Sequence, residues 1–161
     1  FGLGVGSAII YGALQEIYMK NQRINDERLL LRPFPQGEDY KAMWKEYRED
    51  MISRAGVSIF IFGNKYDEEK KNIVLANGMK QEFDIAIKQH NLIVPVGCTG
   101  YIAYEIWKEI NENLSKYYTN VDDELTNAFK KLNDKCETSQ LIDNILSFIV
   151  LFRNGKHASA N

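Results

Sequence analysis

The amino-acid sequence predicts an α/β domain of three layers, with a mostly parallel sheet between helices and its first strands upstream of residue 1. Three observations carry that expectation. Residues 57–62 and 92–96 are near-continuous apolar runs of the kind that form strands buried on both faces. These runs alternate with segments of helical periodicity, as a parallel sheet with crossover helices requires. Glycine-containing turns at residues 1–7 and 97–100 each open a helical pattern, the corner at which open α/β sheets hold ligands.

Composition sets the class. The 161 residues are 45% apolar and 26% charged, ordinary for one globular domain with a real core. We expect that domain over residues 1–154 and a loose tail over 155–161. A net charge of −2 disfavours a broad nucleic-acid surface. No apolar run reaches the roughly 18 residues of a membrane span, and no signal peptide is visible, so a cytoplasmic setting is expected. Cys98 and Cys136 match no zinc spacing, so no metal is expected.

The elements follow in order. In FGLGVGS, glycine lets the backbone turn sharply and approach a ligand, and the helix start beyond it offers free N–H groups. The helix is expected over residues 7–20, with Ser7 as its N-cap and Ile9, Ile10, Ala13, Leu14, Ile17 and Tyr18 on one face. The same glycines also suit a plain tight turn. Residues 28–32 read as a short strand stopped by Pro33. Arg32 then stands at its carboxyl end, either solvated or beside a ligand.

Residues 39–55 read as a helix with Tyr40, Met43, Trp44, Tyr47 and Met51 as its apolar stripe. Arg48 and Arg54, near its end, suit either the helix dipole or a phosphate. The charged stretch KYDEEKK at 65–71 reads as an exposed loop and a candidate lid, flanked by Lys65 and Lys71. Residues 73–89 read as mostly helical, with Asn77-Gly78 starting the productive helix and Glu82 one turn in. Gly97-Cys98-Thr99-Gly100 opens the next helix. Cys98 as a nucleophile has no neighbouring histidine in sequence beyond His90. Helices are expected over 120–132, behind the acidic start Asp122-Asp123-Glu124, and over 138–153, whose broad apolar stripe suits the sheet or a partner subunit.

The layout is Rossmann-like. Three visible strands are too few for a doubly wound sheet, which supports the expectation of strands upstream. FGLGVGSAI, SIFIFGN, NGMKQEFDIA and PVGCTG together resemble the SLOG superfamily, which includes the LOG nucleotide hydrolases and the Smf/DprA proteins. The hydrolase pattern PGG-x-GT-x-x-E is present only in its glutamate-bearing helix. Within the superfamily the chain looks like the C-terminal sensor domain of the Thoeris antiphage effector.

That resemblance implies a non-enzymatic domain that binds a cyclic ADP-ribose isomer, with no cofactor. It also implies a sirtuin-like NADase domain on the N-terminal side, a TIR-domain protein that makes the signal, and a homo-oligomer. The pyrophosphate of such a ligand suits Gly4, Gly6 and Ser7 at one helix start, with Arg48, Arg54, Lys65 or Lys71 as candidate clamps, and Arg32 is a further ligand-binding candidate. Glu82 is the choice for the ribose hydroxyls, Asn77 and Gly78 are further ligand-binding candidates, and Gly97 and Thr99 form a further wall. The competing readings are a LOG-like phosphoribohydrolase using Glu82 and an arginine, and a DprA-like nucleic-acid-binding or oligomerising module.

Overall fold

A computed structural model describes residues 3–20, 23, 29–30, 32 and 38–153. They fall into two compact units, Phe1–Lys45 and Glu46–Asn161.

In the first unit, helix α1 spans Leu3–Met19. Gly4 and Gly6 therefore lie inside the first turns of a helix, not in a loop before it, and Ser7 is an internal position rather than the N-cap. Each glycine costs a helix about 1 kcal/mol against alanine; the apolar sequence that follows sustains the helix nonetheless. Ala13, Leu14 and Ile17 are half-buried, and Glu16 pairs with Lys20 one turn on. Of the strand expected at residues 28–32, Leu29, Leu30 and Arg32 are described and have no strand pairing. Its other residues, like the expected tail, lie outside the described residues. A 3-10 turn, Glu38–Met43, leads into helix α2, Trp44–Ser53.

The second unit is a mixed α/β domain. Strand β1, Val57–Phe60, pairs in parallel with β4, Leu92–Pro95, in the register Val57 opposite Leu92 and Phe60 opposite Pro95. Every residue of β4 is buried, as its unbroken apolar sequence requires. The expectation of cover on both faces fails for β1. Val57 is 38% and Ile59 50% exposed; at i and i+2 they share one face of the strand, while Phe60, on the other face, is buried.

The charged stretch is exposed, but only residues 68–71 form a turn; residues 65–67 belong to a strand. Strands β2, Asn64–Asp67, and β3, Asn72–Leu75, form an antiparallel hairpin with Tyr66 opposite Ile73. The Asp67 carboxylate accepts the N–H groups of Glu69 at 3.1 Å and Lys70 at 2.9 Å, which closes the turn. Residues 73–75 thus belong to a strand, and helix α3 starts at Asn77, where Asn-Gly predicted it, and runs Asn77–Lys88.

Helices α4, Tyr101–Glu112, α5, Asp123–Lys131, and α6, Thr138–Arg153, complete the unit. The Asp122 carboxylate caps α5 by accepting the Leu125 N–H at 2.8 Å. Phe83 of α3 packs edge-on against Phe60 of β1, with ring centroids 5.9 Å apart. Tyr118, Phe129 and Phe148 form a second aromatic cluster, and the Tyr118 hydroxyl donates to the Ile93 carbonyl at 2.8 Å. That bond ties the α5–α6 layer to β4.

Candidate functional site

The carboxyl end of β1 is wedged between the starts of two helices. Gly63 has φ 96°, and a Cβ there would stand 2.7 Å from both Ile102 Cβ and Met79 Sδ. Only glycine fits so close an approach. The Gly63 carbonyl accepts the Ala76 N–H at 2.8 Å just before α3, and the Phe62 carbonyl accepts the Ala103 N–H at 2.9 Å within α4. One dipeptide thus fixes where both helices begin.

Beside the start of α3 lies Arg48. Part of the apolar stripe expected on this helix lies on its buried face: Trp44, Tyr47 and Met51 are half-buried alongside the buried Arg48 and Ile52, whereas Met43, in the turn before α2, is 56% exposed. Arg48 is 7% exposed, the one fully charged side chain among the buried described residues. Burial is tolerated because the charge is met. Its Nε donates to Glu82 Oε1 at 3.2 Å, and its Nη1 donates to Gln81 Oε1 at 3.2 Å. A Cβ on Gly78 would stand 2.6 Å from Arg48 Nη2. Gly78 therefore admits the guanidinium to the first turn of α3.

Burial raises the Glu82 carboxyl above its ordinary range, while the Arg48 charge and hydrogen bond pull it back. The result is a buried cation and a half-buried carboxylate beside a 12-residue helix that starts at Asn77. Chemically, that arrangement sets positive charge beside a helix start, which favours an anion, next to a carboxylate that can accept hydroxyls.

The end of β4 supplies the other wall. Thr99 Oγ1 accepts the Phe62 N–H at 2.8 Å and donates to the Val96 carbonyl at 2.7 Å. A Cβ on Gly97 would stand 2.8 Å from Trp107 Cγ and from Asn133 Oδ1. Phe62, Cys98 and Thr99, together with Lys135, Cys136, Glu137 and Leu141, line an open depression of about 690 Å³. Burial pushes the Cys98 thiol up, and the nearby Cys136 pushes the same way, so Cys98 stays protonated at neutral pH, the opposite of an activated nucleophile.

The sequence-predicted residues fall into groups. Arg48, Gly78 and Glu82 meet; Asn77 opens the same helix; Gly97 and Thr99 stand at the end of β4. Arg54 is exposed just beyond the end of α2, 3.2 Å from Asp50. Lys65 and Lys71 are exposed on the β2–β3 hairpin. Gly4, Gly6, Ser7 and Arg32 belong to the first unit. Sequence reasoning missed Gln81 and Phe62. An aromatic residue immediately before a strand-ending glycine was the available signal for Phe62.

Comparison with known proteins gives this arrangement a family. The model of the Sir2- and TIR-associating SLOG family matches residues 1–151. The chain is 46% identical over 155 residues to the NAD(+) hydrolase ThsA of Bacillus cereus (strain MSX-D12), covering 96% of this chain and 32% of that protein. It is 40% identical over 161 residues to the ThsA of Cytobacillus dafuensis, covering 97% of this chain and 32% of that protein. It is 36% identical over 144 residues to the ThsA of Acinetobacter baumannii (strain 532279), covering 84% of this chain and 30% of that protein. The chain thus spans about a third of the length of these relatives. On that family-wide match the chain belongs to the Sir2- and TIR-associating SLOG family.

Proposed function

We propose that this chain is a regulatory domain that binds a cyclic ADP-ribose isomer and thereby activates a linked sirtuin-like NADase in bacterial antiphage defence. The observation that carries the reading is the buried Arg48–Glu82 pair packed against Gly78, within a chain of this family. A cyclic ADP-ribose isomer presents a pyrophosphate and two riboses. The guanidinium and the N–H groups at the start of α3 suit the pyrophosphate, and the Glu82 carboxylate suits ribose hydroxyls. Lys65 and Lys71, on the hairpin, are the cations we assign to closure over the ligand. Arg54 remains a proposed contact. In this reading the hydrolase activity resides in the part of the full protein outside this chain, and the signal comes from a TIR-domain partner.

Activation then follows from differential affinity. The ligand must bind one arrangement of domains or subunits better than another. The test is calorimetric titration with ADP-ribose, NAD, cyclic ADP-ribose and its ribose-linked isomers. Saturable binding of one cyclic isomer, recovered unchanged, is the expected result. Absence of binding across the panel overturns the reading. Arg48→Ala and Glu82→Ala are each expected to abolish binding; intact affinity in both removes the site assignment. Slower hydrogen exchange over residues 64–75 with ligand is expected of the hairpin, and unchanged exchange removes it as the closing element.

A further inference from the structure

Phe62 is held in a backbone conformation that bulky residues avoid. Its φ of 57° lies in the left-handed region. Two hydrogen bonds impose it, from its N–H to Thr99 Oγ1 and to its carbonyl from the Ala103 N–H. The ring gains little core packing in return. It is 37% exposed, whereas Phe60, two residues earlier, is 5% exposed and packs on Phe83. Such outliers persist where surrounding structure over-determines them, and they gather at functional sites. The ring instead lines the depression at the ends of β1 and β4.

We propose that this depression takes a flat heteroaromatic base, with Phe62 as its stacking platform. The proposal rests on the nucleotide-ligand reading and adds the residue that meets the base. The lining matches the chemistry of a purine, which has two apolar faces and a polar edge. Phe62, Leu141 and the uncharged Cys98 thiol form an apolar, polarizable wall. Lys135 and Glu137 bring a donor and an acceptor for ring nitrogens and an exocyclic amino group. Thr99 acts through Phe62, as a positioning residue.

Adenosine, which carries a base and no phosphate, is the direct probe. The full chain with labelled phenylalanine rings is titrated with adenosine or with ribose 5-phosphate and followed by NMR. The Phe62 signal is assigned by its disappearance in Phe62→Leu. Adenosine is expected to shift the Phe62 ring signal saturably, and ribose 5-phosphate to leave it in place. Phe62→Leu should weaken adenosine roughly tenfold, as loss of one stacked base does, while Phe62→Tyr retains it. A Phe62 signal unmoved by adenosine overturns the proposal without recourse to any variant.

The two readings fail separately. Binding of a cyclic ADP-ribose isomer with Phe62 unmoved removes the base subsite and leaves the sensor. A saturable adenosine shift without binding of any ADP-ribose compound removes the sensor and leaves the subsite.

Discussion

Arg48 shows how a charge is retained in an interior. Its guanidinium is buried, and Glu82 and Gln81 accept from it. Removing it leaves a half-buried carboxylate without its cation, so Arg48→Ala is expected to lower stability by about 2 kcal/mol in urea denaturation. Gly78→Ala tests the same contact from the other side. The added Cβ meets Arg48 Nη2, so the variant should lose ligand affinity by more than tenfold with both charged side chains still present.

Two carboxylates give opposite pH signatures. The folded-state pKa of Glu82 is raised, chiefly by burial. The fold therefore binds that proton more tightly than the unfolded chain, and the contribution is lost as pH rises through the raised value. For Glu109, burial pushes up, but hydrogen bonds from Lys80 and Tyr117 together outweigh it and hold the carboxyl low. Its contribution is present above the ordinary carboxylate range and lost as pH falls through the lowered value. Denaturation at a series of pH values should therefore show wild type and Glu109→Gln converging towards acid, and a divergence at acid pH would contradict that sign.

At the scale of elements, local signals and non-local pairing separate cleanly. The start of α3 at Asn77, the cap of α5 at Asp122 and the bounds of α6 at Thr138–Arg153 were legible, because helix termini and periodicity are written within one or two turns. Asp122→Ala should cost about 1 kcal/mol, measurable in thermal or urea unfolding. The β2–β3 hairpin was not legible. Asn64–Asp67 has one apolar residue and reads as solvated, and only the pairing of Tyr66 with Ile73 makes it a strand. The first glycines misled in the opposite direction, since they suggested a loop where Leu3–Met19 is helical. Gly63 is the glycine whose conformation the fold demands. Gly63→Ala combines φ 96° with a 2.7 Å approach to Ile102 Cβ, so it should destabilise by about 2 kcal/mol or more.

At the scale of the whole molecule, the proposed sensor has a thermodynamic signature. A ligand that binds only the folded state adds stability by mass action, about 2.7 kcal/mol at a concentration a hundredfold above its dissociation constant. The cognate cyclic isomer should therefore raise the melting temperature of wild type and leave that of Glu82→Ala unchanged.

The sequence by itself determined the α/β class, the buried parallel strand β4, helices α3 to α6 and the candidacy of Arg48, Gly78 and Glu82. Those properties follow from apolar runs, caps and residue chemistry within short windows. Only the tertiary structure decided that Arg48 lies on the buried face of α2, that residues 64–75 pair as a hairpin, and that Phe62 is fixed with its ring exposed. Each depends on a partner 9 to 41 positions away in sequence: Val74 with Lys65, Glu82 with Arg48, Thr99 and Ala103 with Phe62. The free energy of such contacts belongs to the pair and is absent from either local segment.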